Sequence, residues 1–349
     1  MDSLTKPKTM RAAFLVELKK PLVIDEVELP EQLGYGQVLV RMVYSGICGA
    51  QLNEIDGAKG EDKFLPHLLG HEASAIVVET GPGVKTVTPG QRVVLHWRKG
   101  RGIEANPPQL RWRGRPLNAG WVTTFSQYSI VSENRVTPLP DGVEMDVAPL
   151  FGCAVTTGLG VISNNAHLRI GESVVVFGAG GVGLNVIQGA QLAGAYRIIA
   201  VDTVPYKLQL AQQFGATHAV NSSSGNAVAE VQALANGHLD YAFEVVGLPV
   251  TVRQAWDMIR PGGMAVVVGL GREEVSIPLG GFLQEKKLIG SLYGSASIQA
   301  DIPRLVDLYM DGRIKLDELV SRRRPLAEIN QAFQDMEAGV VARSMVVPG

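Results

Sequence analysis

A glycine-rich loop that follows a short apolar run constrains the fold of this chain more than any other feature. Ser173–Phe177 is an apolar run of the kind found in strands that are buried on both faces of a sheet. The loop Gly178-Ala179-Gly180-Gly181-Val182-Gly183 comes next, and a helical pattern follows it to Ala193. Glycines at these positions permit a tight turn and close packing of the helix on the strand. The sequence therefore predicts the start of a parallel sheet covered by helices.

Strand and helix patterns go on alternating after this loop. The predicted strands are Arg197–Val201, His218–Val220, Tyr241–Val246 and Met264–Val268. The predicted helices are Val182–Ala193, Tyr206–Phe214, Ala227–Ala235 and Val250–Ile259. Such alternation predicts an α/β fold with a doubly wound parallel sheet of the Rossmann type.

The part of the chain before the loop has a different pattern, with short strands between Gly and Pro turns and little helix. The strands expected there are Ala12–Glu17, Val38–Tyr44, Ala75–Glu79, Arg92–Leu95 and Gln127–Val131. Two helices near Pro303–Met310 and Ala327–Met336 and a strand at Ala342–Val347 are expected at the end. We expect this last strand to rejoin the first domain, which would be rich in β structure.

Composition excludes several classes of protein. The formal net charge is −2 over 349 residues, so nothing draws the whole chain to nucleic acid or to a membrane surface. No run of about 18 apolar residues predicts a spanning helix, and Met1–Met10 lacks the core of a signal peptide. Two cysteines cannot form a disulfide framework. We therefore expect a cytoplasmic protein with free thiols.

The glycine loop predicts a dinucleotide site because its context is appropriate. Asp202 ends the strand after the loop, where a carboxylate accepts from the adenine ribose hydroxyls and repels a 2′-phosphate. We therefore predict NAD rather than NADP. The cofactor residues expected from this motif are Gly178, Gly180, Gly181, Val182, Gly183 and Asp202. The alternative is a glycine-rich turn in a domain that binds another ligand.

Both cysteines and one histidine form a candidate metal site. Cys48, His71 and Cys153 lie in Gly46-Ile47-Cys48-Gly49, Gly70-His71-Glu72 and Gly152-Cys153-Ala154. Two thiolates and one imidazole with an open fourth position are typical of catalytic zinc. Alternatively, each cysteine is a small buried hydrophobe and the histidine binds no metal.

With these motifs, nearly the whole chain resembles the zinc-containing medium-chain alcohol dehydrogenases, nearest to the glutathione-dependent formaldehyde dehydrogenase branch. The resemblance implies a GroES-like catalytic domain over residues 1–154 and 293–349, a Rossmann domain over 155–292, and a homodimer or homotetramer. It implies that Cys48, His71 and Cys153 bind the catalytic zinc and that Glu72 lies beside the metal. It also places Thr157, Lys207, Val268 and Arg343 at the cofactor.

The chain departs from this family at three places. Residues 95–112 contain no cysteine, so the family's second, structural zinc is absent. Ala50 replaces the hydroxyl that begins the family's proton relay, Gln51 replaces the usual Asp behind the histidine ligand, and Asn53 stands where some members have the terminal His of the relay. The third departure is a basic segment within residues 97–115. Its cationic side chains are Arg98, Lys99, Arg101, Arg111, Arg113 and Arg115.

The most direct interpretation is an NAD- and zinc-dependent oxidoreductase acting on an alcohol or its aldehyde or ketone. The basic segment is interpreted either as a clamp for an anionic substrate or as a solvated loop or subunit contact. A non-redox epimerase or lyase that retains bound NAD is an alternative, as is a binding protein that has lost its chemistry.

Overall fold

The computed structural model describes residues 6–58, 60–225, 227–237 and 239–349. Contacts divide the chain into two units. The first extends through Cys153 and resumes from Ser297 to Gly349, and the second covers Ala154–Ala296.

The elements are numbered in chain order. The strands are β1 Thr9–Leu15, β2 Val23–Glu28, β3 Gln37–Gly46, β4 His67–Leu68, β5 Glu72–Thr80, β6 Arg92–His96, β7 Leu110–Trp112, β8 Arg115–Leu117, β9 Tyr128–Ser132, β10 Val136–Pro138, β11 Ser173–Phe177, β12 Arg197–Asp202, β13 His218–Asn221, β14 Tyr241–Glu244, β15 Met264–Val267, β16 Lys287–Gly290, β17 Val320–Pro325 and β18 Arg343–Val347. The helices are α1 Gly49–Ile55, α2 Ala154–Gly160, α3 Gly181–Leu192, α4 Pro205–Gln213, α5 Ala227–Ala235, α6 Pro249–Met258, α7 Gly280–Leu283, α8 Ile298–Met310 and α9 Ile329–Glu337.

The first unit is built on two sheets. One has the strand order β4-β1-β2-β7-β8, and the other has the order β10-β6-β5-β3-β18-β17, with β9 also paired to β3. As the sequence predicted, the C-terminal strand β18 rejoins this unit, where Met345 pairs with Gly46 of β3. Inward-facing apolar side chains of β3, β5 and β6 form a core that includes Val40, Val77 and Leu95.

The second unit contains a parallel sheet of order β13-β12-β11-β14-β15-β16. This order confirms the predicted doubly wound sheet, and β11 is buried along its whole length. Its core includes Val175, Ile199 and Trp256. β15 pairs on both sides, with β14 and β16, and β16 lies at the edge of the sheet. β16 escaped prediction because Lys-Leu-Ile-Gly is too short to show a strand pattern.

Several elements of the first unit also escaped prediction. α1 is only seven residues long, too short for helical periodicity to appear. The strands β7 and β8 form a hairpin inside the basic segment, where Arg111 and Arg115 interrupt any apolar alternation. α8 begins at Ile298, before Pro303, although proline normally marks a helix start.

Candidate active site

Three separate places in the first unit supply the candidate metal ligands. Cys48 is the N-cap of α1, directly after β3. His71 immediately precedes β5, and Cys153 ends the turn of helix at Ala148–Gly152. Although these residues are far apart in sequence, their ligand atoms all lie within 4.8 Å of one another. Three soft or borderline donors therefore face one point, which suits zinc.

The surroundings of the second imidazole nitrogen of His71 support a metal site. His71 Nε2 is buried and has no hydrogen-bond partner among the residues that the structure describes. A buried polar atom without a partner is costly unless a ligand meets it. Ligand atoms that share a tetrahedral zinc at ordinary bond lengths lie roughly 3.5–3.8 Å apart, so the observed cluster needs only slight contraction.

The candidate ligand side chains shift one another's pKa values. The hydrogen bond from Cys153 lowers the pKa of Cys48 well below its ordinary value, and Arg343 and His71 lower it further, whereas burial opposes the shift. The same hydrogen bond and burial raise the pKa of Cys153. Burial lowers the pKa of His71, but interaction with the Cys48 thiolate and the charge of Glu72 outweigh burial, so its net pKa is raised. The cluster thus readily carries a thiolate, the form that binds metal.

Glu72 and Arg343 form a buried ion pair beside the ligands. Glu72 is fully buried, and Arg343 Nη1 lies 3.1 Å from its Oε1. The same nitrogen donates to the Ile47 carbonyl at 2.7 Å. Burial alone would lower the pKa of Arg343, but the negative charges of Glu72, Cys48 and Cys153 raise it. Arg343 therefore remains a cation that balances this acidic cluster, and its predicted contact with the cofactor pyrophosphate stays a prediction.

A glycine makes room for this carboxylate. A Cβ on Gly46 would lie 2.3 Å from Glu72 Oε1, closer than any real contact. Gly46 ends β3 just before Cys48, so any side chain there would displace Glu72. Packing against Glu72 thus explains the glycine at position 46.

Gln51 connects two of the ligands. It is buried at the third position of α1, where its Oε1 accepts from the Cys48 backbone N–H at 2.8 Å. Its Nε2 lies 2.5 Å from His71 Nδ1. The residue therefore both caps the helix and orients the imidazole. Ala50 precedes it in the same helix and offers no hydroxyl.

In the second unit the glycine loop has the geometry of a phosphate-binding turn. Gly178 has φ 92°. A Cβ on Gly183 would lie 1.8 Å from the Gly178 carbonyl oxygen, so the helix can approach the strand only with glycine there. α3 begins directly after Gly180, which leaves its first N–H groups facing any anion at this end.

Asp202 is tied to this loop. Its Oδ2 accepts from the Ala179 N–H at 2.8 Å, and its Oδ1 accepts from the Val204 N–H at 2.9 Å. The carboxylate at the end of β12 is thereby held beside the glycine loop, at the carboxyl edge of the sheet where α/β folds bind ligands.

A buried residue that the sequence did not single out, Glu244, anchors two further loops at that edge. Its Oε1 accepts from the N–H groups of Val246 and Gly247 at 2.9 and 2.7 Å and from the Thr251 hydroxyl at 2.7 Å. Its carbonyl accepts from the Val268 N–H at 2.7 Å. Glu244 thus positions the loop that contains Val268, a predicted cofactor residue. The sequence feature that could have indicated its role is the acidic Glu244 at the end of a short apolar strand.

The other predicted cofactor residues lie on helices of the second unit. Thr157 is buried in α2, and Lys207 is half-buried in the first turn of α4. Their contacts with a cofactor remain predictions.

The basic segment is divided between two places. Its hairpin is held by Asp25, which accepts from Trp112 Nε1 at 2.8 Å and pairs with Arg113 at 2.9 Å. Farther back, Lys99 pairs with Glu104 at 3.5 Å. All six cationic side chains are exposed. Two of them thus face carboxylates of the chain, which weakens the interpretation of the segment as a single anion clamp.

A buried carboxylate, Glu133, fixes part of this segment through hydrogen bonds. Glu133 Oε2 accepts from the Ile103 N–H at 2.7 Å, and Oε1 accepts from the N–H groups of Lys85 and Thr86 at 2.7 and 2.9 Å. Burial opposes ionisation, but these donors lower the pKa of Glu133. Hydrogen bonds thus order a region in which the sequence predicted no structural zinc.

Within the described residues, no helix is both long and apolar enough to cross a membrane.

Comparison with known proteins agrees with these sites. Residues 34–141 match the family model for the alcohol dehydrogenase GroES-like domain, and residues 181–311 match the model for zinc-binding dehydrogenase. The class-3 alcohol dehydrogenase of Cereibacter sphaeroides is 36% identical, covering 97% of this chain and 99% of the relative. The S-(hydroxymethyl)glutathione dehydrogenase of Paracoccus denitrificans is 34% identical, covering 97% of this chain and 99% of that one.

The likeness extends to solved structures. The crystal structure of benzyl alcohol dehydrogenase from Acinetobacter calcoaceticus superposes with a TM-score of 0.89 at 29% identity, covering 98% of this chain and 100% of that one. Sequence similarity along nearly the full length, the fold and the Cys-His-Cys cluster agree. The chain therefore belongs to the zinc-containing medium-chain alcohol dehydrogenase family, near its formaldehyde dehydrogenase branch, and is an oxidoreductase that uses zinc and a nicotinamide dinucleotide to transfer hydride between an alcohol and its carbonyl product.

Proposed function

We propose that Cys48, His71 and Cys153 hold the catalytic zinc and that the substrate oxygen occupies the fourth position. The observation that carries this proposal is the buried, partnerless His71 Nε2 among two thiol sulfurs, with all ligand atoms within 4.8 Å. Zinc bound there would act as a Lewis acid toward the alcohol or carbonyl oxygen. The two thiolates carry the charge that holds the ion, and Gln51 lies against Nδ1 of the imidazole. Glu72 and Arg343 keep the ligand surroundings buried and close to charge balance.

Metal analysis tests this proposal. We expect one zinc per chain in the wild type, and loss of it in Cys48→Ser, His71→Ala and Cys153→Ser. Two zinc ions per chain, or metal retained after these substitutions, would contradict the assignment. Cys48 and Cys153 are both free thiols. Because both must stay reduced to bind metal, we also propose a reducing, cytoplasmic environment.

We propose that the cofactor is NAD and that Asp202 decides against NADP. The carboxylate is already fixed beside the glycine loop by two backbone N–H groups, and a 2′-phosphate at this place would meet its negative charge. Calorimetric titration with NAD and NADP tests this choice, and tighter binding of NADP would contradict it.

We propose a homodimer that forms through the edge strand β16. Within the described residues β16 pairs on one side only, and its other side adjoins a set of exposed apolar side chains. An unpaired edge beside an apolar patch is a surface through which two copies can pair. The set contains Leu279 at 80% exposure, Phe282 at 47%, Leu283 at 90% and Leu292 at 52%. Light scattering should report at least a dimer, and Leu283→Asp should produce monomers. A wild-type monomer at micromolar concentration would refute the proposal, and a tetramer would require a second interface.

The substrate is an alcohol or a carbonyl compound, and its identity is to be found by a screen. The relatives named above act on S-(hydroxymethyl)glutathione and benzyl alcohol according to their names, so we propose primary alcohols of both kinds as first candidates. The absorbance of NADH should change steadily during turnover. Turnover without any net change in that absorbance would revive the non-redox alternative, which no observation favours.

A further inference from the structure

We propose that Gln51 is a positioning residue that weakens the hold of the site on its metal ion, because one amide oxygen faces two N–H groups that both require an acceptor once metal is bound. The inference rests on the proposal that Cys48, His71 and Cys153 bind zinc. It concerns this chain's own residue at a place where the resembling family has a carboxylate.

The contacts of Gln51 leave it no other role. The side chain is 1% exposed. Its Oε1 accepts from the Cys48 N–H at 2.8 Å, while its Nε2 lies 2.5 Å from His71 Nδ1. Cys48 N is at the N-cap of α1, so this bond also satisfies one of the helix's free donors. Both ends of one amide are thus committed to residues that supply metal ligands.

Donors and acceptors balance only without metal. When His71 Nδ1 carries no proton, the amide NH₂ donates to it and the amide oxygen accepts from the Cys48 N–H, so both ends of the amide are satisfied. A metal ion on Nε2 of a neutral imidazole leaves the ring proton on Nδ1. The Cys48 N–H and the His71 Nδ1–H are then both donors directed at Gln51.

Neither orientation of the amide resolves this conflict. If the amide oxygen accepts from the Cys48 N–H, the amide NH₂ meets the His71 Nδ1–H, and two donors face each other. If the amide is flipped, its oxygen accepts from His71 and its NH₂ meets the Cys48 N–H, so the same conflict arises there. A carboxylate of the same length would accept from both donors at once. A neutral imidazole without metal can place its proton on Nε2 and avoid the mismatch, whereas a metal ion on Nε2 fixes the proton on Nδ1. The mismatch therefore lowers metal affinity rather than the stability of the metal-free protein. Partners behind a metal-binding histidine typically change metal affinity by about 10–100-fold.

The test is zinc affinity, measured by competition with a fluorescent chelator at fixed pH. Gln51→Glu should bind zinc about 10–100-fold more tightly than the wild type. The matched control is Asn53→Asp, which adds the same charge to the same helix about 200° farther round. It should bind zinc nearly as the wild type does. Equal affinity in the wild type and Gln51→Glu, or equal tightening in Asn53→Asp, would overturn the inference.

A second variant keeps the test decisive if Gln51→Glu does not fold. Gln51→Met removes both hydrogen-bonding contacts of the amide. On this proposal those contacts stabilise the metal-free state more than the metal-bound state. Zinc affinity should therefore stay the same or rise in Gln51→Met. A tenfold loss would show instead that Gln51 supports the bound imidazole, and the inference would be wrong. Absence of zinc binding in the wild type is a different result, because it would refute the proposed metal site itself.

Discussion

His96 gives the first unit a pH-dependent stability whose size follows from its surroundings. The imidazole is fully buried in β6, where its Nδ1 lies 2.7 Å from the Arg98 carbonyl oxygen and its Nε2 lies 2.9 Å from Thr137 Oγ1. A neutral ring matches both partners, with Nδ1–H donating and Nε2 accepting. Burial lowers the pKa of His96 from 6.5 to about 4, although the Arg98 carbonyl opposes the shift.

The sign of the effect follows from proton uptake. Between pH 6.5 and pH 4 the unfolded chain binds a proton at this residue and the folded chain does not. His96 therefore contributes stability at neutral pH that is lost as the pH falls. At 1.36 kcal/mol per pH unit, the free energy of unfolding should drop by about 2 kcal/mol between pH 7 and pH 5 from this group alone.

The assay is urea unfolding of zinc-free wild type and His96→Gln at pH 7, 6 and 5, followed by tryptophan fluorescence. Trp97, Trp112 and Trp121 all lie in the first unit, so the signal mainly reports that unit. The variant should be less stable at pH 7, and its disadvantage should shrink by about 2 kcal/mol at pH 5. His167→Asn, at an exposed histidine of the second unit, is the control for removing a histidine away from this buried site. Parallel curves for the wild type and His96→Gln would refute the reasoning.

Three further predictions concern other parts of the molecule. Asp202→Ala should weaken NAD binding and narrow or reverse the preference over NADP, because it removes the proposed ribose acceptor and the bond to Ala179. An unchanged affinity ratio in calorimetry with both cofactors would show that Asp202 has no such role. Glu133→Ala should lower the free energy of unfolding by about 2 kcal/mol and expose residues 97–104 to proteolysis, because buried N–H groups lose a charged acceptor. Resistance to proteolysis equal to that of the wild type would contradict this prediction. Ala50→Ser should raise kcat for ethanol-sized alcohols near neutral pH, because a positioned proton-transfer group typically raises the rate by about 10²–10⁴-fold. Superimposable pH–rate profiles of the wild type and Ala50→Ser would show that another proton path already suffices.

Much of the architecture and the candidate metal ligands could be predicted from local sequence. Ser173–Phe177 and the following glycines predicted β11 and the turn into α3 correctly, because burial on both faces and backbone freedom leave marks on consecutive residues. Cys48, His71 and Cys153 were identifiable because few residue types bind zinc and the chain has only two cysteines. Resemblance to a known family supplied the frame that joined them.

The connections between sites were decided by the tertiary structure alone. Which strands are neighbours decides three features: the hydrogen bond from Ala179 to Asp202, the anchoring of two loops by Glu244 and the place of β16 at the sheet edge. Local sequence patterns do not predict the order of strands in a sheet. Gln51 is the clearest case. Its amide looks like an ordinary helix-capping residue until folding brings His71, twenty positions away, to its other end. Hydrogen bonds between distant residues depend on distance and direction in space, and only the packed chain sets both.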